Sequence, residues 1–197
     1  GTDVWMAVRA IDIKTGNTLH RAYVEGRIEE VFDLHNALLM HLGPPLGMTE
    51  ALGLDAVRRP PTHSLRAYRR ASEAERLLLE IHGLPEGKAR RSAIKRALKA
   101  TRKALDTDPQ FAAAHAWQGA LLALQNRPDE AAAAYGRAAA LDPDFSAPRY
   151  GLADLAFHRE DLEATADALD AVVRSVPWDD GAHHLRGRIY SLMGESD

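Results

Sequence analysis

Three prolines limit what this chain can become. Pro109, Pro143 and Pro177 stand 34 residues apart, the first two within the pairs Asp108-Pro109 and Asp142-Pro143. Proline cannot continue a helix, and it biases the residue before it away from helical geometry, so each one marks a helix end. Between the prolines one order recurs: a small-residue or apolar helix, a polar break, then an alanine-rich helix. The breaks are Asn126-Arg127-Pro128-Asp129 and Arg159-Glu160-Asp161. A fixed period of this size predicts stacked helix–turn–helix units, each burying its apolar face on the next.

The repetition holds at single residues. With Ala112 as position 1, Gly119 stands at position 8, Ala131 at 20, Tyr135 at 24, Ala138 at 27 and Pro143 at 32. The next copy has Ala153, Thr165, Leu169, Val172 and Pro177 there. Small residues let antiparallel helices approach, and a large one fills the hole opposite. On these positions the stretch resembles the tetratricopeptide repeat (TPR), with two departures: His115 holds the usual aromatic slot, with Trp117 two residues later, and Thr165 replaces the usual Ala.

The same pattern extends both ways. Leu65–His82 and Ala89–Leu105 read as two helices joined by Gly83–Gly87, with Ala97, Ala104 and Pro109 at the repeat positions. This is a first repeat with a lengthened loop. Asp180–Met193 repeats a first helix, with Gly187 and Tyr190 in place, and Gly194 ends it without a second helix, as a terminal cap does. The expected fold is mainly α: a solenoid of about three repeats (about 65–111, 112–145 and 146–179) and a cap helix over 180–194.

Ahead of the solenoid the periodicity changes. Val4–Ile13 is apolar on both faces, Lys14-Thr15-Gly16-Asn17 is a turn signal, and Thr18–Glu25 alternates as a second strand. Ile28–Leu42 follows as an amphipathic helix, with Val31, Leu34, Leu38 and Leu39 on one stripe, stopped by Gly43-Pro44-Pro45. Residues 46–64 read as a linker holding a short helix candidate, Glu50–Val57, capped by Thr49, and then Pro60-Pro61-Thr62. The run RAIDIKTGNTLHRAYVEG, followed by EEVFDLHNALLMHLG, resembles the end of a bacterial TolB/CsgG/FlgO-like α/β domain. That resemblance assigns residues 1–45 to the end of such a domain. It implies a larger bacterial protein, of the lipoprotein-like envelope kind or a cytoplasmic regulator. An isolated hairpin is marginal in water, so the strands are expected to pair with upstream strands or with a second copy of the chain.

Composition removes several function classes. The chain has no cysteine, which excludes disulfides, thiol catalysis and cysteine-ligated zinc. No run approaches the roughly 18 apolar residues of a membrane span. The chain opens Gly-Thr-Asp rather than on Met, so it reads as part of a longer product and its missing signal peptide leaves the compartment open. The resemblance favours the bacterial cell envelope, with the cytoplasm as alternative. No GxSxG, HExxH, GxGxxG or GxxxxGK[ST] pattern occurs. His183 and His184 point about 100° apart on a helix and cannot share a metal. His35 and His41, six apart, are also poorly placed. No enzyme activity, cofactor or metal is expected.

Binding is the better reading. In TPR superhelices the concave surface comes from positions 2, 5, 9, 12 and 13 of each first helix. Carried over, the second repeat contributes Ala113, Ala116, Ala120, Ala123 and Leu124, and the third Ala147, Tyr150, Asp154, Phe157 and His158. The cap helix adds His184, Arg188 and Leu192. The expected partner-binding groove is therefore Ala116, Ala120, Tyr150, Asp154, Phe157, His158, His184 and Arg188, suited to a helix or extended peptide with apolar anchors. Tyr150 and Phe157 are also candidates for simple packing residues. Repeats that hold chaperone C-terminal carboxylates carry Lys and Asn where this chain has Ala116 and Ala120, so that specificity is not expected.

The net charge of −3 hides an uneven layout. Residues 58–103 carry 14 Lys and Arg against 4 Asp and Glu, and residues 104–197 carry 7 against 16. Lys88–Lys103 forms a basic helix. Without interleaved aromatics or a docking motif, a solvated face is the favoured reading. An acidic partner, including another copy's acidic half, comes next. Weak nucleic-acid binding, or a regulatory or sensory module of a transcription regulator or cyclase, stays as the alternative to a protein-interaction scaffold.

Overall fold

The computed structural model describes residues 2–42 and 62–194. The expected Gly43-Pro44-Pro45 stop, the Glu50–Val57 helix and the Pro60-Pro61 linker lie outside the described residues. The chain divides into two compact units, 1–65 and 66–197.

In the first unit β1 (Asp3–Ile11) pairs antiparallel with β2 (Thr18–Arg27), placing Trp5 opposite Glu25, Ala7 opposite Tyr23 and Arg9 opposite Arg21. The first strand stops at Ile11 rather than at the expected Ile13. The cause is Asp12, whose carboxylate accepts from the amides of Lys14 (2.7 Å) and Thr15 (3.0 Å) and bends the chain. Gly16 completes the turn at φ 73° and Ile13 points into solvent. These amides, Thr15 first, hold the Asp12 carboxyl below its ordinary range. A 3-10 turn, Ile28–Glu30, leads into α1 (Val31–Leu42), whose Leu38 packs with Ala22, Met6, Val8 and Val24 on one sheet face. Trp5 and Tyr23, each 75% exposed, occupy the other.

The second unit is a run of seven helices, α2 (Leu65–His82), α3 (Lys88–Leu105), α4 (Ala112–Ala123), α5 (Pro128–Leu141), α6 (Ala147–Phe157), α7 (Leu162–Ser175) and α8 (Asp180–Met193). From α3 onward each helix packs on the next, and α4 also meets α6. Leu77, Ile81, Ile94, Ala97 and Leu121 form one core cluster. Ala67, Ala71, Ala104, Phe111 and Ala114 form the next.

Three devices repeat with the sequence. His115 and His183 donate through Nε2 to the carbonyls of Pro109 and Pro177, each at 2.9 Å, and Arg149 donates to Pro143 at 2.6 Å. Since a carbonyl only accepts, each histidine carries its proton on Nε2. His115 thus ties its helix to the preceding turn instead of filling the aromatic slot. Asn126 (φ 57°) and Glu160 (φ 61°) take the left-handed conformation just past α4 and α6. There the amides of Arg127 and Asp161 reach back to the carbonyls of Leu122 and Ala156, which closes the helix ends. Asp161 and Asp179 cap α7 and α8 through their side chains.

The third device sets the spacing. Tyr135 on α5 projects its ring between Gly119 of α4 and Gly151 of α6. A Cβ at Gly119 would lie 2.7 Å from the ring, and one at Gly151 2.4 Å. Gly119 therefore faces the tyrosine directly, while Ala131 lies fully buried in the cluster with Leu122 and Ala134.

Candidate functional site

The 34-residue equivalents of Gly119, Tyr135 and Gly151 are Ala153, Leu169 and Leu185. All three line a pocket of about 320 Å³ between α6, α7 and α8. The pocket has a simple origin. A phenol ring closes the α4–α5–α6 junction, whereas at the next junction the shorter Leu169 stands in its place and space is left open.

The walls are apolar: Tyr150, Ala153 and Phe157 from α6, Leu169 from α7, and Leu185, Ile189 and Leu192 from α8, with Thr165 beside Leu169. Phe157 (46% exposed) and Leu192 (62%) stand at the mouth. Two charged residues belong to the lining, Asp154 and Arg188. The Asp154 carboxylate lies 3.5 Å from His158 Nδ1, which donates to the Asp154 carbonyl at 2.8 Å. Arg188 is exposed and its guanidinium has no ion-pair partner among the described residues.

The frame around the pocket is fixed by hydrogen bonds. Tyr150 donates to Asp179, the cap of α8, and so links α6 to α8. Burial, with the Asp179 hydrogen bond second, pushes the Tyr150 phenol up to about 12. Asp179 is held below the ordinary carboxylate range by the Ala182 amide and then by Tyr150. On the far side Tyr190 donates to Asp170 at 2.9 Å, with Arg186 3.6 Å from the same carboxylate, which links α8 to α7.

Of the residues expected to form a groove, Tyr150, Asp154, Phe157 and Arg188 come together at this pocket. His158 contacts Asp154 at its edge, and His184 is exposed on α8 outside the lining. Ala116 is buried and Ala120 packs on the Leu122–Tyr135 cluster, because the neighbouring helices close over them. Carrying over repeat positions missed Leu185 and Ile189. Their signal is the apolar i, i+4, i+7 stripe Leu185–Ile189–Leu192, which lines the pocket. Among the described residues no group of His, Asp or Glu could hold a metal, and no helix is long and apolar enough to cross a membrane.

Family models of the tetratricopeptide repeat match residues 88–144 and 122–189. No curated protein matches the chain. Among solved structures, a thermophilic TPR protein of Thermus thermophilus is 19% identical, with a TM-score of 0.59, over 84% of this chain and 82% of its own. The first TPR of Spaghetti, bound to an HSP90 peptide, is 14% identical, with a TM-score of 0.50, over 64% of this chain and 98% of its own. At these identities the likeness is one of fold.

Proposed function

Because the chain belongs to the tetratricopeptide-repeat family through residues 88–189, we propose that it is a non-catalytic protein-interaction scaffold. Its α6–α8 pocket takes the apolar anchor of a partner peptide or helix. The observation that carries this reading is the open apolar junction with an unpaired arginine in its lining. An aliphatic or aromatic side chain entering the pocket buries surface against Phe157, Leu169 and Leu192, and each fully buried side chain is worth about 1.5–3 kcal/mol. Arg188 adds a charge-assisted hydrogen bond to a carboxylate beside that anchor. That the fold can hold a peptide is supported by the Spaghetti repeat with its HSP90 peptide.

A random peptide library displayed on phage and selected on the full chain tests this. Enriched peptides should combine an apolar residue with a nearby acid. They should lose at least about tenfold in affinity, or about 1.4 kcal/mol, on Phe157→Glu and on Arg188→Glu, both surface changes that leave the helical melt in place. Peptides that bind both variants as well as wild type would refute the site.

The wider context rests on the N-terminal unit. We read its hairpin and helix as the end of a TolB/CsgG/FlgO-like domain, which would set the scaffold within a larger bacterial envelope or regulatory protein. The exposed Trp5 and Tyr23, on strands with no further partner strand among the described residues, support pairing of the hairpin with other strands.

A further inference from the structure

The outer face of α3 takes no part in the pocket. Ala93, Ile94, Ala97, Ala100, Thr101 and Ala104 bury one side of this helix. At about 100° per residue, the opposite arc of about 140° is Lys or Arg at every position except Ser92. Lys88, Arg91, Lys95, Lys99 and Arg102 run in a line along it, and Arg96 and Lys103 flank that line. All seven are exposed, and none has an ion-pair or hydrogen-bond partner for its side chain among the described residues. The ion pair on this helix, Arg90 with Glu86 at 3.3 Å, lies off the arc.

A protein partner draws most of its affinity from a few Trp, Tyr and Arg anchors held in desolvated pockets near the centre of an interface. This arc offers arginines but no aromatic side chain. A polyanion needs none, since neutralising its phosphates releases condensed counterions. From Lys88 to Arg102 the line is about 21 Å long. At a rise of about 3.4 Å per phosphate it matches about six phosphates of one strand. The 16 acidic residues of 104–197 repel the same ligand, which favours the basic stretch that contains α3. We propose that the outer face of α3 binds the sugar–phosphate backbone of nucleic acid without reading its sequence. This inference is independent of the α6–α8 pocket.

Anisotropy of a fluorescein-labelled, mixed-sequence double-stranded DNA, titrated with the full chain at about 50 to 200 mM salt, tests it. The logarithm of the binding constant should fall linearly with the logarithm of salt, with a slope of about −4.5 to −6.3 for five to seven phosphates. The triple reversal Lys95→Glu, Lys99→Glu, Arg102→Glu should cut affinity by well over tenfold and flatten that slope. Arg137→Glu on α5, away from this face and from the pocket, should leave both unchanged. Absence of binding at the lowest salt, or full binding by the triple variant, would overturn the proposal. Poly-glutamate displacing DNA charge for charge would also overturn it and assign the face to an acidic protein.

Discussion

Gly151 and Gly136 make a matched pair for measuring what the Tyr135 wedge contributes. Both are helical glycines, so replacing either by alanine gains about 0.8–1.0 kcal/mol of helix propensity. At Gly136 a Cβ meets nothing within 4 Å, and that gain should appear whole. At Gly151 it would stand 2.4, 2.5 and 2.7 Å from three ring atoms of Tyr135, about 1 Å inside the optimal carbon–carbon separation of about 3.5–4.0 Å. Retreat of the ring is limited, since on its other side it already packs closely on the bare backbone of Gly119, where an added Cβ would stand 2.7 Å away. Overpacking of this kind costs about 1–3 kcal/mol. Gly151→Ala should therefore come out up to about 2 kcal/mol less stable than wild type, and Gly136→Ala about 1 kcal/mol more stable. At about 4 °C per kcal/mol for a unit of this size, the helical circular-dichroism melts should differ by about 4–12 °C, with Gly151→Ala the lower. In a Tyr135→Ala background the ring is gone, and Gly151→Ala should become as favourable as Gly136→Ala. Equal melts for the two single variants, or an unchanged cost without the ring, would refute the wedge.

Three further outcomes follow from the geometry. Glu160 holds the left-handed slot that its equivalent, Asn126, fills with a better-suited side chain, so Glu160→Asn should stabilise by about 0.5–1 kcal/mol in a urea melt; no gain would count against the closing turn. Burial raises the phenols of Tyr135 and Tyr150 to about 12, with Asp154 adding to the first and Asp179 to the second, so both should ionise late in an alkaline absorbance titration, and Tyr150→Phe should remove one late step. Because both folded values lie above the ordinary value of 10, their contribution is whole below pH 10 and is lost as pH rises towards 12. Leu169→Tyr should fill the pocket and abolish binding of pocket-selected peptides, but with Ala153 and Leu185 where the first wedge has glycines it should also cost about 1–3 kcal/mol of overpacking in a urea melt.

The helices of the solenoid were legible because their signals are local: Asp-Pro pairs, polar breaks and apolar spacing each act within one unit. Tyr150, Asp154, Phe157 and Arg188 were legible as a set because a period of 34 carries position from unit to unit. What sequence could not show depends on contacts between units. Gly151 matters through a ring 16 residues away, and Leu185 through its place in the succeeding unit. Of the alanines expected in the groove, Ala116 is buried and Ala120 is half-buried against the Leu122–Tyr135 cluster, a difference that position in the repeat does not carry. At the hairpin, a single carboxylate at Asp12 outweighed the strand propensity of Ile13, which alternation alone cannot register.

The junction without a ring bears on how the stack comes apart. In an array of this kind each unit is stabilised by its neighbours alone, so opening starts where the coupling is weakest. Tyr135 fills the space between three successive helices; Leu169 packs with Ala153 of α6 and Ile189 of α8 but leaves the pocket open beside it. The last helix should exchange its amide protons sooner than α4 or α5, through a sub-global opening rather than complete unfolding. An anchor side chain seated beside Leu169 would supply the coupling that the chain omits. At a hundredfold excess over its dissociation constant it adds about 2.7 kcal/mol, and that gain would be felt first in α8. Slower amide exchange in α8, with α4 and α5 unchanged, is the signature of a partner that completes the solenoid by occupying it.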